Sequence, residues 1–156
     1  MTELSRQDKA IIRSEIEALN VEFAYLIDHD LSEQVAGLFT PGGSYGRITG
    51  ERSVGREAIA RAYVGRAARG DRTARHIFTN FRLDIHGADR VTGTAILLLF
   101  AEDGRPPHAA LPDLVADYED VYVRDGEGNW LFESRTVAPL FRRNADEPSV
   151  LPLGAS

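Results

Sequence analysis

The sequence predicts an α+β fold in which helices come first and a sheet of long antiparallel hairpins follows. Three observations carry this. Apolar residues recur at helical spacing from Ile12 to Leu26. After Thr73 the apolar period falls towards two, in four segments joined in pairs by His86-Gly87-Ala88-Asp89 and Asp125-Gly126-Glu127-Gly128, both good hairpin turns. The chain has 156 residues, 43 % of them hydrophobic, which suits a single core.

Taken in order, Ser5 followed by Asp8 reads as a capping box that starts the first helix. Ile12, Ile16, Leu19, Phe23 and Leu26 make its apolar stripe. Beyond its midpoint a second face appears, Val21, Ala24, Tyr25 and Asp28, where the first half carries Arg13 and Glu17. The C-terminal half is therefore expected to be enclosed on two sides, with Tyr25 and Asp28 pointing inwards. Ser32 is expected to cap a short second helix carrying Val35, Leu38 and Phe39, which Pro41-Gly42-Gly43 ends. Tyr45 to Thr49 reads as a short strand. A third helix is expected from about Gly55 to Arg69, with Ile59, Tyr63 and Ala67 on its apolar side. Its region also carries Arg52, Arg56, Arg61, Arg66, Arg69 and Arg72, which read as a solvated outer face because they share no stripe and no phosphate-binding loop.

Residues 73–85 and 90–101 read as the first hairpin. Ala74, His76, Phe78 and Asn80 share a face, and the alternation then moves to Phe81, Leu83 and Ile85, which predicts a bulge or a new packing partner near Asn80. Ile96 to Phe100 is apolar on both faces, so one face is expected to meet the helices and the other a second subunit, giving a homodimer or higher homo-oligomer. The loop 102–113 carries Pro106, Pro107 and Pro112 and is placed to lie over a cavity mouth. Residues 115–124 and 130–137 read as the second hairpin. The domain is expected to occupy 1–143, with 144–156 a Pro-rich tail that could close the cavity.

Composition narrows the function. There is no cysteine, hence no disulfide framework, thiolate nucleophile or Cys-ligated metal. A net charge of −6 argues against nucleic acid or an anionic membrane as partner. The apolar run from Ala95 to Ala101 is too short to span a bilayer, and the first residues lack a signal-peptide pattern, so a cytoplasmic location is expected. Asp28-His29-Asp30 is a poor metal set, because consecutive residues rarely aim at one ion, and no metal or cofactor is expected.

His76 stands out as a histidine on a sheet face among apolar neighbours, able to take or give a proton near neutral pH. Asp28 is the best candidate for its carboxylate partner. A core histidine bonded to Asp28 or to a backbone carbonyl, with no chemical role, is the competing structural reading.

Four segments in order carry a resemblance: Tyr25-x-x-Asp28 with Leu38-Phe39-Thr40-Pro41; Arg75-His76-x-x-Thr79-Asn80; Tyr118-x-Asp120-x-Tyr122-x-Arg124-Asp125-Gly126; and Trp130-x-Phe132-x-x-Arg135. Over about residues 6–142 the chain resembles SnoaL-like proteins of the nuclear transport factor 2 superfamily. Within them it is similar to the branch of scytalone dehydratase, bile-acid 7α-dehydratase and hexachlorocyclohexane dehydrochlorinase. The resemblance implies a cone-like barrel: a curved antiparallel sheet wrapped around N-terminal helices and enclosing a cavity. It also implies an aspartate–histidine dyad at Asp28 and His76, with Tyr25, Tyr118 and Asn80 as matching site positions; Tyr45, as a further hydroxyl donor, and Ala24, on the Asp28 face of the helix, complete the candidate substrate-binding residues. One departure is plain. Scytalone dehydratase carries a second site histidine on the next long strand, where this chain reads Ala95-Ile96-Leu97-Leu98-Leu99-Phe100, which argues against scytalone itself as substrate.

The expected activity is a cofactor-independent, dehydratase-type elimination on a small, largely apolar cyclic compound such as a polyketide, steroid or aromatic catabolite. His76 would be the base, Asp28 its orienter, and a tyrosine hydroxyl the donor to an oxyanion. Isomerisation or cyclisation by the same dyad is the alternative. A non-catalytic ligand-binding or oligomerisation module, or the small subunit of a ring-hydroxylating dioxygenase, would share the fold.

Overall fold

The computed structural model describes residues 3–145. Helix α1 spans Arg6–Asp28 and opens on the expected capping box: Ser5 Oγ accepts the Asp8 N–H at 3.1 Å, and the Asp8 carboxylate accepts the Ser5 N–H at 3.0 Å. A 3-10 helix at Ser32–Leu38 follows, then strand β1 (Phe39–Arg47), strand β2 (Arg52–Val54) and helix α2 (Arg56–Ala67). Four long strands complete the fold: β3 (Arg72–Ile85), β4 (Arg90–Asp103), β5 (Leu114–Arg124) and β6 (Trp130–Arg142). They join β1 and β2 in one open, curved sheet of order β2-β1-β6-β5-β4-β3.

Three features differ from the sequence expectation. Ser32 is the first residue of the 3-10 helix and does not cap it; the cap position falls on Leu31, with no side-chain bond. Phe39 begins a strand rather than extending the second helix, and Pro41-Gly42-Gly43 lies inside β1. Strand pairing overrides the breaker signal because the β1–β6 register shifts between Phe39 and Ser44, leaving the Pro-Gly-Gly stretch out of the ladder. The sheet is also mixed: β1 runs parallel to β6, from Phe39 opposite Phe132 to Arg47 opposite Val137, while the other pairings are antiparallel.

The bulge expected near Asn80 is present. The β3–β4 register shifts between Thr79 and Arg82, and Asn80 takes the left-handed conformation with φ 54°. On its far side Leu83 packs against Gly93, where a Cβ would come within 2.5 Å of the Leu83 side chain. The bulge thus lets Ala74 and Phe78, before it, and Leu83 and Ile85, after it, all pack on the same core.

That core lies between α1 and the inner face of the sheet and holds a full ion pair. Asp120 and Arg135 are cross-strand partners on β5 and β6, and both side chains have zero exposure. Arg135 donates to Asp120 through Nε at 2.9 Å and Nη2 at 2.8 Å. Nη2 also donates to Asn20 Oδ1 of α1. Asn20 Nδ2 donates to the Tyr122 hydroxyl at 3.1 Å, and that hydroxyl donates to Asp120 at 2.8 Å, closing a ring of four side chains. Phe23, Phe78, Tyr118 and Phe132 surround the guanidinium at 4.1–4.8 Å from their ring centres. Burial alone would lower the guanidinium pKa; the Asp120 charge and hydrogen bonds outweigh it and hold Arg135 above its ordinary value.

Removing one partner strands a buried charge. Asp120→Ala is expected to lower unfolding stability in urea by about 3–5 kcal/mol, a far larger effect than the roughly 1 kcal/mol expected of Ser5→Ala at the helix cap.

Candidate functional site

A cavity of about 470 Å³ opens between the C-terminal end of α1, helix α2 and the first turn of the β4–β5 loop. Its inner wall includes Ile27, Tyr45, Tyr63, Ala74, His76 and Leu99. Gly104, Arg105 and Pro106 edge the mouth, so the Pro-rich loop reaches it at one end. The tail expected to close the cavity lies outside the described residues beyond Ala145.

Asp28 is the last residue of α1 and His76 sits on β3, the edge strand against which that helix packs. The His76 Nδ1–H donates to Asp28 Oδ1 at 2.6 Å, and the His76 backbone N–H donates to Asp28 Oδ2 at 2.8 Å. One residue thus occupies both carboxylate oxygens. The two side chains are only 5 % and 8 % exposed. With Nδ1 committed to Asp28, Nε2 is the nitrogen left for the cavity that the ring lines. The end of α1 adds the negative pole of the helix dipole beside the ring. Arg75 ties the same helix end to β3 by donating to the Asp28 carbonyl at 3.4 Å.

A second wall is phenolic. The Tyr45 and Tyr118 hydroxyls hydrogen-bond at 3.2 Å, and the Tyr63 ring stacks parallel to Tyr45 with 6.3 Å between centres. Burial pushes all three phenols up, Tyr63 and Tyr118 well above ordinary tyrosine, while the Arg135 charge pulls each back in part. All three therefore stay protonated at neutral pH and remain hydrogen-bond donors.

The other candidates lie elsewhere. Tyr25 is half exposed beside the exposed Val21, with its ring stacked on His29 at 4.0 Å, because this face of α1 is turned to solvent. The expected enclosure of the helix on two sides thus holds at Ala24 and Asp28 and fails at Val21 and Tyr25. Ala24 is buried without lining the cavity, and Asn80 is exposed at the bulge, where its left-handed backbone takes it out of the strand's alternation. Tyr118 reaches the cavity wall only through Tyr45. Among the arginines around α2, Arg66 and Arg72 are not on a solvated outer face: they line the cavity mouth, share Asp103 at 3.4 and 3.3 Å, and are 16 % and 20 % exposed. Sequence reading assigns Tyr63 only an apolar helix position and passes over Asn20; Asp120, Tyr122 and Arg135 stand in the motifs of the resemblance, with no role assigned and no link between them. Alternation of Tyr118, Asp120 and Tyr122 was the available signal for the ring, since a strand that alternates aromatic and carboxylate residues on one face places the carboxylate inside. Among the described residues no group of three or more histidine and carboxylate side chains is placed to hold a metal ion.

The model of the SnoaL-like domain matches residues 8–136. The chain belongs to the SnoaL-like family. No curated protein matches it. Among solved structures, a putative scytalone dehydratase from Novosphingobium aromaticivorans is similar at 18 % identity and a TM-score of 0.80, over 97 % of this chain and 99 % of that one. A hexachlorocyclohexane dehydrochlorinase is similar at 18 % identity and TM-score 0.70, over 88 % and 90 %. A Catenulispora acidiphila protein in complex with S-DNPA is similar at 24 % identity and TM-score 0.66, over 83 % and 94 %. At these identities the likeness is one of fold. No helix among the described residues is long and apolar enough to cross a membrane.

Tyr45→Phe is expected to destabilise the protein by about 1–3 kcal/mol in urea unfolding, because it leaves the Tyr118 hydroxyl buried without its partner. Adding Tyr118→Phe should recover most of the loss, which a double-mutant cycle measures directly.

Proposed function

We propose that this SnoaL-like chain is a cytoplasmic, cofactor-independent lyase that eliminates water from a small, largely apolar cyclic compound. The observation that carries this is the 2.6 Å bond from His76 Nδ1–H to Asp28 on a histidine that lines the cavity. The dehydratase and dehydrochlorinase among the similar folds support a small-molecule role. The same reading treats residues 1–143 as one functional domain.

In this mechanism His76 Nε2 removes a C–H proton next to a carbonyl. The electron pair moves onto the carbonyl oxygen, and Asp28 offsets the charge of the imidazolium as it forms. When the pair returns, the neighbouring C–O bond breaks. The imidazolium protonates the departing oxygen, so that water leaves and the base is regenerated. Returning the proton to a different carbon instead would make the enzyme an isomerase, and the dyad serves either course. A pure binding role is favoured by one observation: the cavity residue of β4 nearest the dyad is Leu99, which pairs with His76 and offers no second polar group.

Deuterium exchange by NMR in a panel of cyclic β-hydroxy ketones tests the reading. His76→Ala should slow exchange and dehydration by about 10²–10⁴ in a protein that still folds, with a lowered urea midpoint because the buried Asp28 carboxylate loses its ring partner. Asp28→Asn should lose a comparable factor, because an amide can donate to Nδ1 and fix the wrong tautomer. Unchanged turnover in His76→Ala would remove His76 as the base.

The outer face of the sheet supports a homo-oligomer. Ile77, Leu98, Val115 and Phe141 form one cross-strand row, with Ile77 46 % and Phe141 69 % exposed. Sedimentation at micromolar concentration should give a dimer or larger, and Leu98→Glu should shift it to monomer; a monomeric wild type would count against this interface.

A further inference from the structure

We infer that Tyr63, together with Tyr45, seats the carbonyl oxygen of an enolisable substrate, which makes Tyr63 a catalytic residue. The inference rests on the lyase reading and names the substrate class: a cyclic ketone or related carbonyl compound with an acidic C–H beside the carbonyl.

Four observations converge. Tyr63 is 2 % exposed and its hydroxyl has no hydrogen-bond partner within the protein, yet the residue lines the cavity. A buried phenol left unpaired is costly, and a ligand oxygen in the cavity would satisfy it. A proton count gives the second point. The three hydroxyls of Tyr45, Tyr63 and Tyr118 carry three protons, and the Tyr45–Tyr118 bond uses one. Tyr118 lies off the cavity, so with Tyr118 donating to Tyr45, the protons of Tyr45 and Tyr63 are both free for one acceptor. Tyr45 and Tyr63 also act on each other, after burial, so their hydroxyls are neighbours, and the contact between them falls short of a well-formed hydrogen bond that a ligand oxygen would supply.

The third observation is the charge beneath. The Arg135 guanidinium lies 4.7 Å from the Tyr118 ring centre and favours negative charge on this side of the cavity. The fourth is the position of His76 on β3, while the tyrosines come from β1 and α2. Proton removal and charge accumulation are thereby assigned to different walls of one cavity, as the two ends of an enolate require. A hydrocarbon whose only heteroatoms are halogens has no oxygen for this seat.

Tyr63→Phe keeps the ring and removes only the unpaired hydroxyl, so folding is preserved. The probes are 2-naphthol, ring-substituted 2-naphthols of graded acidity as enolate mimics, and naphthalene as the size control, measured by calorimetry. Wild-type protein should bind 2-naphthol more tightly than naphthalene, with affinity rising as the naphthol becomes more acidic. Tyr63→Phe should weaken 2-naphthol about tenfold, flatten the dependence on acidity and leave naphthalene unchanged. Equal 2-naphthol affinity in the two proteins, an equal loss for naphthalene, or no preference for 2-naphthol in the wild type would each overturn the assignment. His76→Ala should keep the naphthol preference. If it also keeps full deuterium exchange, the dyad reading fails while the oxygen seat stands.

Discussion

A guanidinium with no exposure sets the terms for the rest of this molecule. Arg135 needs a carboxylate, further acceptors and polarisable surroundings at fixed directions, and the fold supplies them from several elements at once: Asp120 beside it on β5, Asn20 on α1, and four aromatic rings. An apolar core of the same volume could be equally stable. What the ion pair adds is direction. Apolar side chains slide over one another at small cost, whereas a forked donor that must meet Asp120 and Asn20 together fixes the height and rotation of α1 over the sheet. That rotation in turn delivers Asp28, two turns further along, to β3.

The site is accordingly assembled from two walls that the core holds apart. Asp28 and His76 belong to the α1–β3 side, and Tyr45 and Tyr63 to the β1–α2 side, with the charged ring beneath the phenols through Tyr118. Neither wall is chemically unusual by itself. Their joint presence on one cavity gives the proposed chemistry its polarity, with a base on one side and donors on the other. The SnoaL-like fold suits this division, since its curved sheet offers inward positions from many strands to a single interior.

Periodicity made much of this legible. The capping box, the apolar stripe of α1, both long hairpins and the bulge at Asn80 follow from local rules, because each depends on neighbours within one element or one turn. His76 and Asp28 stood out because each broke the pattern of its own element, and the resemblance to SnoaL-like dehydratases supplied the pairing. What sequence did not reveal depends on partners far along the chain. Helix phase alone does not say whether Tyr25 or Asp28 is covered, because a strand reaches one and not the other. Pro41-Gly42-Gly43 carries a breaker signal that pairing with β6 overrides. Tyr63 reads as an apolar helix residue until Tyr45 and the cavity are placed around it. Asp120 and Arg135 look like surface charges individually, and the bulge between Val121 and Tyr122 alters the spacing on β6 that would otherwise reveal Arg135 as inward-facing.

The parallel pairing of β1 with β6 bears on when a functional molecule can exist. Among the described residues β1 is the first strand made and β6 the last, and β1's other partner is the three-residue β2. A growing chain therefore holds Tyr45 only against Ser53 of β2 until Arg135 of β6 is made, and contacts so distant in sequence form late because of the loop they must close. Truncation upstream of Trp130 would leave β1 and its Tyr45 joined only to β2, with no ladder to the long strands, and Asp120 without its countercharge. Pairing of β6 is thus a checkpoint: Asp28, Tyr45, Tyr63 and His76 all precede it in the chain, and the wall that receives charge is anchored to the long strands only when it forms.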